Sequence, residues 1–261
     1  MNLSLEGKLA VVCGSTQGIG LAIAEELALL GANCILIARD ETALKESISK
    51  LDISNRQLHE YRVADFSKPN QVKREIEEIV SAQTVHILIN NTGGPPAGPI
   101  FTAKEEEFLN AFQQHLICNH ILTQAVVPGM KDAGFGRIIN IISTSVKIPL
   151  KNLGVSNTIR GAVASWAKTM SNELGQFNIT VNNILPGYTS TGRLTSLIEK
   201  TAEKRNTNKE VVEKEMIAEI PMKRFADAAE IAAVAAFIAS PAASYVNGVS
   251  IPVDGGRTGS I

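Results

Sequence analysis

The segment Gly14-Ser15-Thr16-Gln17-Gly18-Ile19-Gly20 carries the clearest chemistry in the chain. It follows the apolar run Leu9-Ala10-Val11-Val12-Cys13 and precedes a stretch in which Ile19, Ala22, Ile23, Leu27 and Leu30 recur at helical spacing. Glycines at a strand-to-helix junction let the backbone turn tightly and approach a pyrophosphate. The helix start then offers unpaired N–H groups and a positive dipole end. A dinucleotide is the expected ligand, and its type depends on the first charge after the second strand. There the chain reads Ala38-Arg39-Asp40. An acid in that place would bind the adenine ribose hydroxyls, whereas the Arg39 guanidinium suits a phosphate. NADP(H) is therefore favoured, with NAD(H) as the alternative. Asp40 reads as the N-cap of the following helix.

Alternating elements must position this loop. Strands are expected at 9–13, 34–38, 58–64, 85–89, 137–142, 179–185 and 249–253. Helices are expected after 19 and after 41, and over 72–80, 104–130, 153–174 and 227–239. Such alternation implies parallel βαβ units with right-handed crossovers. Strands that are apolar almost throughout imply a sheet covered on both faces. The expected fold class is α/β: a doubly wound parallel sheet in a three-layer α/β/α arrangement, one domain over residues 1–261, with ligands at the carboxyl edge of the strands. The polar stretch 201–215 reads as a solvated helix face, or as part of a flap over a substrate pocket at about 188–222.

Composition narrows the partners. With 25 basic and 26 acidic side chains the formal charge is −1, which gives no electrostatic reason to expect nucleic acid or an anionic membrane. Cys13, Cys34 and Cys118 sit in apolar or helical runs without a C-x-x-C pair, so reduced thiols are expected and a metal site is not. No basic leader with a long apolar run opens the chain, and a cytoplasmic location is expected.

Taken in order, the motifs resemble those of the short-chain dehydrogenase/reductases, nearly end to end. The glycine motif is Gly14, Gly18 and Gly20. The pair that flanks the adenine in that family appears as Asp65-Phe66, and its N-N-A-G as Asn90-Asn91-Thr92-Gly93. The loop that wraps the nicotinamide appears as Pro186-Gly187-Tyr188-Thr189-Ser190-Thr191, and a late V-D-G-G as Val253 to Gly256. The overall look is similar to 3-oxoacyl-acyl-carrier-protein reductases. The resemblance implies a Rossmann-type oxidoreductase acting on a carbonyl or hydroxyl compound. It also implies a small-molecule or acyl-thioester substrate and a homotetramer built through two long helices and the C-terminal strand.

The family's Asn-Ser-Tyr-Lys tetrad survives here only in part. Ser143 matches the serine, while the tyrosine and lysine positions hold Ser156 and Arg160 and the asparagine position holds His115. Serine is a phenol ring shorter than tyrosine, and arginine stays charged at any useful pH. Arg160 can still hold the nicotinamide ribose, being on the helix face of Ser156. His115 could donate a proton, or could be a polar core residue facing the pocket. Asn119 and Ser145 are secondary candidates. Tyr188 could offer a phenol from another direction, although a packing role is the simpler reading. Two functions follow: an oxidoreductase with an altered proton relay, or a nucleotide-binding sensor or regulatory subunit without redox turnover.

Overall fold

A computed structural model describes residues 1–260 of the chain. Seven strands form one parallel sheet: β1 (Leu9–Cys13), β2 (Asn33–Ala38), β3 (Glu60–Val63), β4 (Ile87–Asn90), β5 (Gly136–Ile141), β6 (Ile179–Pro186) and β7 (Ser250–Val253). Their order is β3-β2-β1-β4-β5-β6-β7, so the winding reverses between β1 and β4. That reversal opens a crevice at the carboxyl edge.

Because side chains alternate along a strand, the apolar runs feed two cores. Ala10, Val12, Leu36, Ile87 and Ile139 pack against α1 (Gly18–Leu29) and, on the same face, a helix at Ala228–Ala239. Val11, Cys13, Ile35, Leu88 and Ile138 pack on the other face, against helices at Pro69–Ala82, Cys118–Asp132 and Gly154–Leu174. The helices in chain order are α1, α2 (Glu41–Ile48), α3 (Pro69–Ala82), α4 (Glu105–Phe112), α5 (Cys118–Asp132), α6 (Gly154–Leu174), α7 (Gly192–Arg205), α8 (Lys209–Ala218) and α9 (Ala228–Ala239). Asp40 caps α2 as expected, its carboxylate accepting from the Ala43 N–H at 3.0 Å.

Three differences from the sequence expectation have local causes. The third strand starts at Glu60 rather than 58, because the Leu58 N–H donates to the Asn33 side chain instead of to a strand carbonyl. The fourth starts at Ile87 rather than 85, after His86 has used its ring Nδ1 to accept from the Leu9 N–H. The long helix expected over 104–130 is α4 and α5 joined through one π-helical turn, Gln113–Ile117. The polar stretch 201–215 belongs to α7 and α8, whose inner sides bury Leu194, Ile198, Val212 and Met216. Arg205–Glu215 and Lys209–Glu199 pairs lie outside that small core.

One polar feature crosses the sheet. Asn90 Nδ2 donates to Asn140 Oδ1 (2.9 Å), Asn140 Nδ2 to Asn183 Oδ1 (2.9 Å), and Asn183 Nδ2 to Ser250 Oγ (3.0 Å). Each pair is directly opposite in register. The three asparagines are essentially inaccessible to water, so every bond lost here exposes a buried polar group to no partner. Asn140→Leu should therefore destabilise the protein by about 2 kcal/mol or more, measured by urea unfolding. A loss within experimental error would refute the ladder's structural role.

Candidate active site

The crevice is built first from backbone. Asn91 Nδ2 donates to the carbonyls of Cys13 (3.3 Å) and Gly14 (3.1 Å), tying the end of β4 to the glycine loop after β1. A Cβ on Gly20 would stand 2.1 Å from the Gly14 oxygen and 2.6 Å from Asn91 Nδ2. One on Gly14, whose φ is +59°, would stand 2.5 Å from the Asn91 oxygen. Neither place admits a side chain, and the loop remains a bare cradle at the start of α1. That is the form a pyrophosphate requires, so the residues present fit a dinucleotide.

Thr16, Gln17 and Ile19 keep solvent access around the cradle. Ser15 does not: it is completely buried and its hydroxyl has no partner. The loop from Pro186 to Thr191 closes over the cradle from β6. Gly187 N–H donates to the Val253 oxygen (2.9 Å) and Ser190 N–H to the Ala226 oxygen (2.8 Å). A Cβ on Gly18 would lie 3.1 Å from Thr191 Cγ2, so the two loops meet there.

At the other end, Arg39 is exposed and, among the described residues, has no carboxylate within ion-pair distance. Asp65 shares this rim. A hydrogen bond from the Ser67 N–H lowers its pKa, and the charges of Lys68 and Arg39 add to the effect. Phe66 packs against the core beneath. Asn90 donates its amide to the cross-sheet ladder, while Gly93 lies exposed with open space around it.

At the candidate catalytic end Thr92 meets His115, the Arg160 charge lies near that histidine, and Ser143 and Ser156 stand on the neighbouring end of β5 and on α6. The π-helical turn places His115, buried to 2% exposure, with Nδ1 2.7 Å from Thr92 Oγ1. Its Nε2 is buried without a partner. Burial, then the charges of Arg160 and Arg193, push its pKa down to about 3. The ring is neutral near pH 7 and is not an imidazolium acid. Ser143 follows β5 and its Oγ accepts from the Ser145 N–H (3.1 Å), which leaves the hydroxyl proton free to donate. Ser156 is buried in the first turn of α6. Arg160, one turn further, donates Nη1 to the Ile141 carbonyl (2.8 Å), and its Nε has no partner. Burial and the nearby Arg193 charge lower its pKa to about 10, so it stays protonated at neutral pH. Asn119 is buried a turn beyond His115, and the Ser145 hydroxyl is buried without a partner.

Tyr188 is already engaged. Its ring packs edge-on against Phe225, and its hydroxyl accepts from Arg257 Nη2 (3.1 Å) while that guanidinium also covers the ring. Burial raises its pKa. Sequence reasoning missed Arg193. A signal for it existed: a cation in the first turn of a helix opposes the helix dipole, so it needs another reason to be there.

With this geometry in place, comparison defines the class. A family model described as enoyl-(acyl carrier protein) reductase matches residues 14–258. The chain belongs to the short-chain dehydrogenase/reductase family. It is 32% identical over 257 residues to the 3-oxoacyl-acyl-carrier-protein reductase FabG of Vibrio cholerae, covering 97% of this chain and 98% of that one. It is 30% identical over 256 residues to the NADPH-dependent reductase BacG of Bacillus subtilis, covering 97% and 99%. The crystal structure of L-sorbose reductase from Gluconobacter frateurii, complexed with NADPH and L-sorbose, superposes with a TM-score of 0.94 at 30% identity over the full length of both chains.

The neutral histidine has a measurable consequence. Between its unfolded value near 6.5 and its folded value of about 3, the unfolded chain binds a proton that the folded chain refuses. Stability must fall as the pH drops through that window. His115→Asn should remove about 2 kcal/mol of the loss seen between about pH 6.5 and about pH 4.5. Denaturant titrations of both proteins at each pH check this, and parallel pH dependences would contradict it.

Proposed function

We propose that the protein is an NADP(H)-dependent oxidoreductase acting on a carbonyl or hydroxyl compound, with a proton relay that uses neither the tyrosine nor the lysine of its family. The observation that carries this reading is the pairing of an intact glycine cradle with a free Ser143 hydroxyl and a protonated Arg160 at the far end of the same crevice. When bound, the reduced nicotinamide supplies a hydride. Ser143 donates a hydrogen bond to the substrate oxygen, and the Arg160 charge favours negative charge developing there. Arg160 is held for this by the Ile141 carbonyl. The final proton comes from water, since no tyrosine is free in the crevice and His115 is neutral. In this reading α7 and α8 form a flap beside the substrate, and the protein works in the cytoplasm as a homo-oligomer.

The unpartnered Arg39 supports NADP(H) over NAD(H), in line with relatives whose names record NADPH. Arg39→Ala should weaken NADPH binding by about tenfold to a hundredfold and change NADH binding little, as loss of charge-assisted bonds to one phosphate requires. Equal losses by calorimetry would reject the assignment.

A second reading, coenzyme binding without turnover, draws on the absence of the tyrosine. The two separate on hydride transfer. NADPH deuterated at the reactive carbon and a panel of ketones, oxo acids and thioesters should yield deuterated alcohol, with the rate cut about tenfold or more by Ser143→Ala. Tight NADPH binding with no label transferred across the panel would establish the second reading instead.

A further inference from the structure

Two guanidinium groups converge on the candidate catalytic end of the crevice, and no acid among the described residues answers them. Arg160 is 7% exposed and carries an unpartnered Nε. Arg193 reaches in from the first turn of α7 and lays its guanidinium on Gly94. A Cβ at Gly94 would fall 2.5 Å from Nη2 and 2.6 Å from Nη1. Gly94 lies two residues beyond Thr92, the hydrogen-bond partner of His115. The charge of Arg193 is felt by both Arg160 and His115, which places the three groups around one space.

Among the described residues, neither arginine takes part in an ion pair, and Arg193 makes no hydrogen bond to the protein. This arrangement is unfavourable three times over. Like charges lie near each other, burial strips water from the Arg160 head group, and the helix dipole opposes the solvent-exposed Arg193 at the start of α7. An anion between them would reverse each penalty. The coenzyme phosphates have their own receptors in the glycine cradle and at Arg39. Arg193 lies against Gly94, on the side of Thr92 and His115, while its neighbours Thr191 and Gly192 abut the cradle at Gly18 and Gln17.

We propose that Arg193 and Arg160 form the receptor for a carboxylate on the substrate, so that the compound reduced is an oxo acid or a related unsaturated carboxylic acid and not a neutral ketone or sugar. This identification of the substrate rests on the reductase reading; the anion site itself does not. Two planar guanidinium forks suit a planar carboxylate, which accepts on both oxygens. The same contact fixes the distance from the carboxylate to the reacting carbon, and so selects small oxo acids by reach.

The test uses the intact protein, with and without saturating NADPH, titrated calorimetrically with pyruvate, 2-oxo-4-phenylbutanoate and the neutral amide of the latter. At least one acid should bind, the phenyl acid at least tenfold more tightly than its amide. The preference should weaken with added salt. Arg193→Leu should abolish the preference while leaving NADPH affinity within about twofold, and Arg193→Lys should restore part of it, keeping the charge but losing the fork. Acid and amide binding alike would overturn the proposal, as would failure of every acid at millimolar concentration. So would an Arg193→Leu effect falling on NADPH by the same factor, since the arginine would then serve the coenzyme. Acid selectivity in protein that does not bind NADPH would support the anion site and overturn the reductase reading. NADPH binding without acid selectivity would overturn the anion site and leave the reductase reading to the hydride-transfer test.

Discussion

Four side chains hydrogen-bonded in series, Asn90, Asn140, Asn183 and Ser250, hold the strands β4 to β7 at one level. In a parallel sheet the apolar contacts alone restrain register weakly, because a strand of similar residues can slide by two and still bury its faces. A buried amide has no such freedom, since a slip would leave donor and acceptor unsatisfied in a medium where each costs about 1–3 kcal/mol. With the ladder fixed, the residues just beyond it emerge together at the carboxyl edge: Thr92 after β4, Ser143 after β5, Gly187 after β6 and Asp254 after β7. The placing of the candidate site follows from the ladder in this sense. The one unsatisfied end, Asn90 Oδ1, lies on the strand next to the winding reversal.

The same edge divides its work between backbone and side chain. At β1 the chain binds by omission: Gly14 and Gly20 leave room, and Asn91 clamps the two loops without entering the cradle. At β5 and α6 it acts through charge. The π-helical turn between α4 and α5 swings His115 against Thr92, and the space so formed is shared with two arginines. Burial first, and then the two cations, keep the proton off that histidine near pH 7.

Features encoded locally were legible in the sequence, and features encoded by distant pairings were not. The glycine loop, the strand and helix alternation, and the Asp40 cap each rest on residues within one turn or strand of one another. The ladder joins Asn90 to Asn140 across fifty positions of sequence, and nothing in the composition of either strand marks it. The π-helical turn adds a residue to a helix without altering its apolar period enough to be seen. Arg193 was within reach, but only by asking why a cation should stand where the helix dipole disfavours it.

An arginine at position 160, as against a lysine, decides what the site can be. A lysine buried at 7% exposure beside another cation would lose its proton readily, and the site would lose charge as it closed. The guanidinium keeps its proton even after burial lowers its pKa to about 10, so the electropositive character is permanent across the working pH range. A phenol beside such a group would ionise early and lose its use as an acid. An arginine with no phenol beside it gives a site a fixed field and no titrating proton donor, and a fixed positive field is of use only to a reactant that carries, or develops, negative charge.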